Sequence, residues 1–272
     1  MPSIGPHIHS CKHLFDHFKL RKRSLQFALV TLGSIITDLE NLNVLQNVHW
    51  RAESFLQYLL KTDPKYAPLA IGMIMHEEMD KAIDAHYVNP NIPAASQLLK
   101  QYNQHQDPQE PHYFLDHIFN VEFMQRESGI IAIAAHAKKR LTDKHVHKIA
   151  FHMTQFFGGD KELVFSTIHL FKDFDLAQYL SHDEAAGIYA KFMALKDSLS
   201  VNKKPGVFDK IKLALAYFRF MLDNRKHVLK EMTLHASMRF KNNKKAYTIA
   251  LKSMTRKYRK LSTRYNLAIK QN

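Results

Sequence analysis

The stretch Met75-His76-Glu77-Glu78-Met79-Asp80-Lys81-Ala82-Ile83-Asp84-Ala85-His86 spaces imidazoles and carboxylates as a metal ion requires. Residues four apart on a helix share one face with Cβ atoms about 5–6 Å apart, so His76 and Asp80 can grip one cation, with Asp84 a turn further along the row. His86 lies about 280° round the helix from His76. The Asn89-Pro90 step should end that helix and let a last-turn side chain swing toward a second ion. The same spacing recurs in His112 and Asp116 after Pro111, and Asp38 and His49 flank another helix start. Imidazole nitrogen mixed with carboxylate oxygen suits a borderline ion such as zinc. Several ions sharing one bowl would account for so many ligands.

Composition points the same way. Cys11 is the only cysteine, so no internal disulfide and no cysteine-rich zinc site can form. The 18 histidines among 272 residues are roughly three times the number an average composition would give, which leaves His and carboxylate to carry any metal. His136, His145, His147, His152 and His169 fall in amphipathic segments and read as partly buried hydrogen-bonding residues. The pair His182-Asp183 is similar to the HD phosphohydrolase dipeptide, but no matching upstream His and downstream Asp accompany it.

The elements that must position these residues are helical almost throughout, because apolar residues recur at helical spacing and alternating segments bounded by turns are missing. Breaks are expected at Asp63-Pro64, Asn89-Pro90, Asp107-Pro108, Gly158-Gly159 and Lys204-Pro205-Gly206. Helices are expected near 24–37, 42–61, 67–87, 93–104, 111–140, 143–157, 160–171, 174–180, 182–199, 206–238 and 243–269. Residues 1–204 then form a zinc-binding helical core, and 205–272 a basic helical extension packed on or beside it.

The order Asp38, His49, His76-x3-Asp80-x5-His86, His112-x3-Asp116 resembles that of the zinc-dependent phospholipase C and single-strand nuclease superfamily. Leu32-Gly33-Ser34-Ile35-Ile36-Thr37-Asp38-Leu39 is also similar to the L-G-S-x-x-P-D-x signature of its intracellular prokaryotic relatives, with Thr37 in place of Pro. The likeness covers roughly residues 7–117. It implies an all-α, multi-helix bundle of phospholipase C/nuclease type with an added basic C-terminal helix, holding two to three zinc ions. It further implies that Asp80 bridges two ions and that His49 and His76 complete one. His86, His112 and Asp116 would hold another, with Asp116 standing where Glu is commoner, and Asp38 would face the attacking water. The secreted enzymes also bind zinc through an N-terminal Trp. This chain starts Met1-Pro2 and has its first Trp at position 50, so His7, His9 or His13 could substitute, with His9 and His13 the favoured candidates.

The function expected from this reading is hydrolysis of a phosphoester by a metal-activated water, with Asp38 orienting or deprotonating that water. The alternatives are a non-catalytic metal-stabilised binding or scaffold protein and an HD-type phosphohydrolase. Phospholipid, nucleotide and small phosphodiester substrates all satisfy the same chemistry.

Charge is concentrated at one end of the chain. Residues 225–272 hold 14 Lys/Arg against the single acid Glu231, close to the whole formal charge of +14. Tyr247, Leu251, Met254, Tyr258, Leu261, Tyr265 and Ala268 form an apolar stripe at spacings of 4 and 3, opposite a basic face. The stripe is expected to dock the final helix, leaving the basic face either simply solvated or a surface that attracts a polyanion, an anionic membrane surface or a nucleic acid, through residues 243–272. The basic cluster Lys19–Arg23 ahead of an apolar run imitates a signal peptide. Asp38 and Glu40 follow where a cleavage site should lie, so the run is read as a mature helix and the protein as cytoplasmic.

Overall fold

Ser24 starts the central helix by accepting the Phe27 N–H at 3.1 Å, and from Phe27 to Ile36 every residue that follows is buried. A helix apolar on all sides belongs at the centre of a bundle. This is α2 (Leu25–Ile36), and it crosses α4 (Ala67–Ile83), which is buried continuously from Leu69 to His76. Glycines let the two backbones touch at the crossing. A Cβ on Gly33 would lie 2.0 Å from the Leu69 carbonyl oxygen, and one on Gly72 would lie 2.0 Å from that of Val30. Beyond this point the helices run together to the surface, so that Ser34 meets His76 and Asp38 meets Asp80.

The computed structural model describes residues 4–40, 44–102, 108–199, 225–240 and 243–267, and every regular element among them is helical. Around the central pair stand α1 (Ile4–His17), α3 (Val48–Thr62), α5 (Asn89–Gln101), α6 (Glu110–Arg126) and α7 (Ile130–Arg140). They are followed by α8 (Asp143–Phe157), α9 (Lys161–Asp173), α10 (His182–Leu199), α11 (Arg225–Arg239) and α12 (Lys244–Arg264). Among the described residues no helix is long and apolar enough to cross a membrane.

Three elements depart from the sequence reading. The N-terminal histidines lie on a helix, α1. The Asn120 side chain accepts its Gly5 N–H at 2.9 Å, and Ile8, Leu14 and Phe15 bury its inner face. The chain does not stop before Asn89-Pro90. It passes from α4 through a π-helical turn, Asp84–Val88, straight into α5, with the Asn89 N–H reaching back to Asp84. Pro90 lies in the first turn of α5, where its missing N–H costs little, and the wider π-turn takes up the mismatch. The helix expected over 111–140 divides at 127–129 into α6 and α7.

The C-terminal segment joins the same hydrophobic core. In α12, Ala246, Tyr247, Ala250, Met254, Tyr258 and Leu261 are buried, and the helix lies along α4. Expected helix residues 42–43, 103–104, 206–224 and 268–269 lie outside the described residues, as does the proposed boundary at 204/205.

Candidate metal centre

The carboxylate–imidazole row on α4 opens into a cleft of about 590 Å³. Asp38 arrives from a 3-10 turn (Thr37–Leu39) at the end of α2, His49 from the first turn of α3, and His76 and Asp80 from α4. Each of the four offers a ligand atom within 4.8 Å of the others, so the group could hold a metal ion. Asp84, His112 and Asp116 form a second group by the same measure and line the same cleft.

The geometry of the first group suits a cation. His76 is fully buried, and its Nδ1 donates to the Ser34 carbonyl at 2.8 Å, which turns Nε2 toward the acids. Nε2 lies 2.9 Å from Asp80 Oδ2 and 3.7 Å from Asp38 Oδ1, yet it is not aligned for a hydrogen bond with either. The other Asp80 oxygen, Oδ1, lies 3.1 Å from Nε2 of His7, a residue 1% exposed with no hydrogen-bond partner on either ring nitrogen. The His7 and His76 rings stack at 4.3 Å. Asp80 therefore presents one oxygen to each imidazole, and buried, unaligned ring nitrogens are what a metal would satisfy. His49 is oriented by Glu40, which accepts its Nδ1 at 2.8 Å and its backbone N–H at 3.0 Å. This carboxylate–imidazole pairing fixes the tautomer and leaves Nε2 for a ligand.

Electrostatics agree with the geometry. Burial opposes charge on His76, but Asp80 and then Asp38 outweigh it and push its pKa up to about 10. Burial likewise opposes charge on Asp80, and the imidazoles of His76 and His7 hold its carboxyl well below the usual range. In the second group burial, then the Asp116 charge, pushes Asp84 up to about 7. The hydrogen bond that Asp116 accepts from the His112 ring raises His112 to about 8 against burial. A bound cation would relieve the Asp84–Asp116 repulsion and displace these protons, which makes loading pH-dependent.

No family model, curated protein or solved structure matches this chain.

Of the residues singled out from sequence, Asp38, His49, His76 and Asp80 come together in one group, and His112 and Asp116 in the other. His9, His13 and His86 are not brought to either. His9 shares a 2.7 Å hydrogen bond with the Tyr247 hydroxyl, His13 stacks near His17 at 6.3 Å, and His86 is exposed on the π-turn. Asp84 stands with His112 and Asp116 where His86 was expected, and His7 reaches Asp80 where His9 or His13 was expected. Glu40 was missed. Its only sequence signal is an acid nine residues before a candidate ligand. The His182-Asp183 pair holds other partners: Asp183 binds Lys230 Nζ at 2.9 Å, and His182 lies beside the Gln125 amide. His152 is a hydrogen-bonded interior histidine, held by Tyr58 and by Asp63, each at 3.4 Å.

Proposed function

We propose that this cleft binds two divalent cations, zinc by its donor set, and hydrolyses phosphoester bonds. The observation that carries the reading is Asp80, whose two oxygens face His7 and His76 in an open cleft beside a second His/Asp/Asp group. His7, His49, His76 and Asp80 would hold one part of the centre, with the Asp38 carboxylate beside it, and Asp84, His112 and Asp116 would hold the other. When bound, such cations neutralise phosphate oxygens and acidify water at the site. The order of these residues is what supports the likeness to the zinc-dependent phospholipase C and nuclease superfamily.

The chain's own groups have separable roles in this proposal. Ser34 and Glu40 orient His76 and His49 through their Nδ1 atoms, so both rings present Nε2. Asp38, 5% exposed on the cleft wall, would orient the attacking water or take its proton. No nucleophilic side chain is required. A scaffold protein stapled by metal would use the same ligands, but structural sites are closed by protein whereas this cleft leaves room for a phosphate ester.

The test is product release from a panel of phosphodiesters by zinc-loaded, full-length protein. Asp38→Asn should keep most of the metal and lose turnover by about 100-fold or more. Turnover at the wild-type rate would remove Asp38 from this role, and no turnover of any panel member by the loaded protein would favour the scaffold.

A further inference from the structure

A second depression, of about 370 Å³, lies between α1 and α12, away from the cleft. His13 and His17 line it from α1, one turn apart on one face, and Lys252, Arg256 and Arg259 line it from α12 at i, i+4 and i+7. We propose that this groove, where the two histidines meet three basic residues of the final helix, binds a phosphate group carrying two negative charges.

Charge distribution supports it first. No Asp or Glu lines the groove, and Asp16, the acid beside it in sequence, is held by Lys12 at 3.0 Å and Lys22 at 2.5 Å. On the other flank of α12, Lys257 and Arg264 are neutralised by Glu53 at 3.6 and 2.5 Å. Lys252, Arg256 and Arg259 make no ion pair among the described residues. The basic tail is thus not uniform: one flank is compensated, and the flank facing α1 concentrates unpaired cations in a concavity.

The donor chemistry selects the ligand. Thr248 and Thr255 spend their hydroxyl protons on their own helix, bonding the Lys244 and Leu251 carbonyls, so guanidinium, ammonium and imidazole groups must do the recognising. Two arginines offer planar forks that match phosphate oxygens. A volume of this size takes a phosphate with part of the group it esterifies. A concave site admits a protruding headgroup but not a bilayer plane. Stacking on bases is disfavoured, because the aromatic residues of α12 beside the groove, Tyr247 and Tyr258, are buried. His13 lies six residues along α1 from His7, about 9 Å. The site is therefore separate from the metal cleft and does not depend on its reading.

The phosphate could come from a soluble phosphorylated compound or from a lipid headgroup, and the experiment separates them. Full-length protein is titrated with inorganic phosphate while the imidazole proton resonances of His13 and His17 are followed, assigned through His13→Gln and His17→Gln. It is then floated with phosphatidylcholine vesicles containing either phosphatidic acid, a phosphomonoester, or charge-matched phosphatidylglycerol, a diester. Two double variants remove equal charge from one helix: Arg256→Gln/Arg259→Gln in the groove and Lys257→Gln/Arg264→Gln on the compensated flank. We expect saturable shifts of both histidines at millimolar phosphate, weakened about tenfold or more by the groove variant and within about twofold by the control. Preference for phosphatidic acid over phosphatidylglycerol, lost only in the groove variant, assigns the lipid source, and phosphate shifts without that preference assign the soluble one. Absence of saturable shifts overturns the proposal. So does equal loss in both double variants, or oligonucleotide binding that outcompetes phosphate and falls equally in both.

Discussion

Replacing Gly72 by Ala should damage stability and metal affinity together, because one contact carries both. The new methyl carbon would start 2.0 Å from the Val30 carbonyl oxygen and 2.8 Å from the Ser34 N–H nitrogen. An ordinary carbon contact needs about 3.5 Å, so α2 and α4 must part by roughly 1.5 Å against backbone that cannot rotate away. Overpacking of this kind costs about 2–3 kcal/mol. For a chain of this size, that lowers Tm by about 4–12 °C. The same displacement stretches the 2.8 Å bond from His76 Nδ1 to Ser34 O, which holds the imidazole toward Asp80 and Asp38. Circular dichroism melts of the metal-free protein and competitive zinc titration of the folded protein read the two effects separately. A Gly72→Ala protein that melts within about 1 °C of wild type and binds zinc as tightly would refute the argument that backbone contact of α2 and α4 builds the site.

Two further perturbations reach other parts of the account. Glu40→Gln should weaken zinc binding about 10–100-fold with little change in the melt of the metal-free protein, since it frees the His49 ring rather than removing a ligand; unchanged affinity in a chelator competition would show that Glu40 does not orient it. His117 is fully buried with no hydrogen-bond partner on either ring nitrogen, and burial pushes its pKa from 6.5 down to about 3. Because the unfolded chain takes up that proton first, the stability this residue contributes is present above about pH 6.5 and is lost as pH falls toward about 3, by up to about 1.4 kcal/mol per unit. His117→Phe should flatten the dependence over that window relative to wild type in paired denaturant titrations, and parallel curves would contradict the assignment.

The helical class and the row of ligands on α4 were readable because both rest on local spacing. His76 and Asp80 are one turn apart, as are His112 and Asp116, and no tertiary information is needed to place each pair on one face. What brings Asp38 to them is the crossing at Gly33 and Gly72, and what brings His49 is the packing of α3 on α4 with its tie to Glu40, none of which the spacing of apolar residues shows. His86 was misplaced for a definite reason. The helix is expected to end before Asn89-Pro90 and free a last-turn side chain, whereas the chain continues through the π-turn into α5, which leaves Asp84 on the cleft and His86 exposed. His7 was hidden differently, since Pro6 and four histidines resemble a loose leader until Asn120, 115 residues away, supplies the acceptor that holds Gly5. Glu40 acts through a loop, where neither helical nor strand periodicity applies.

The central claim is that the His/Asp cleft is a multinuclear zinc centre, and metal content tests it most directly. Elemental analysis of protein loaded with zinc and freed of excess should give two equivalents, falling by at least one in each of His7→Ala, His76→Ala and Asp80→Ala while His9→Ala, His13→Ala and His86→Ala stay at the wild-type value. Less than one equivalent in the loaded wild-type protein, or equal loss in the two sets of variants, would contradict it.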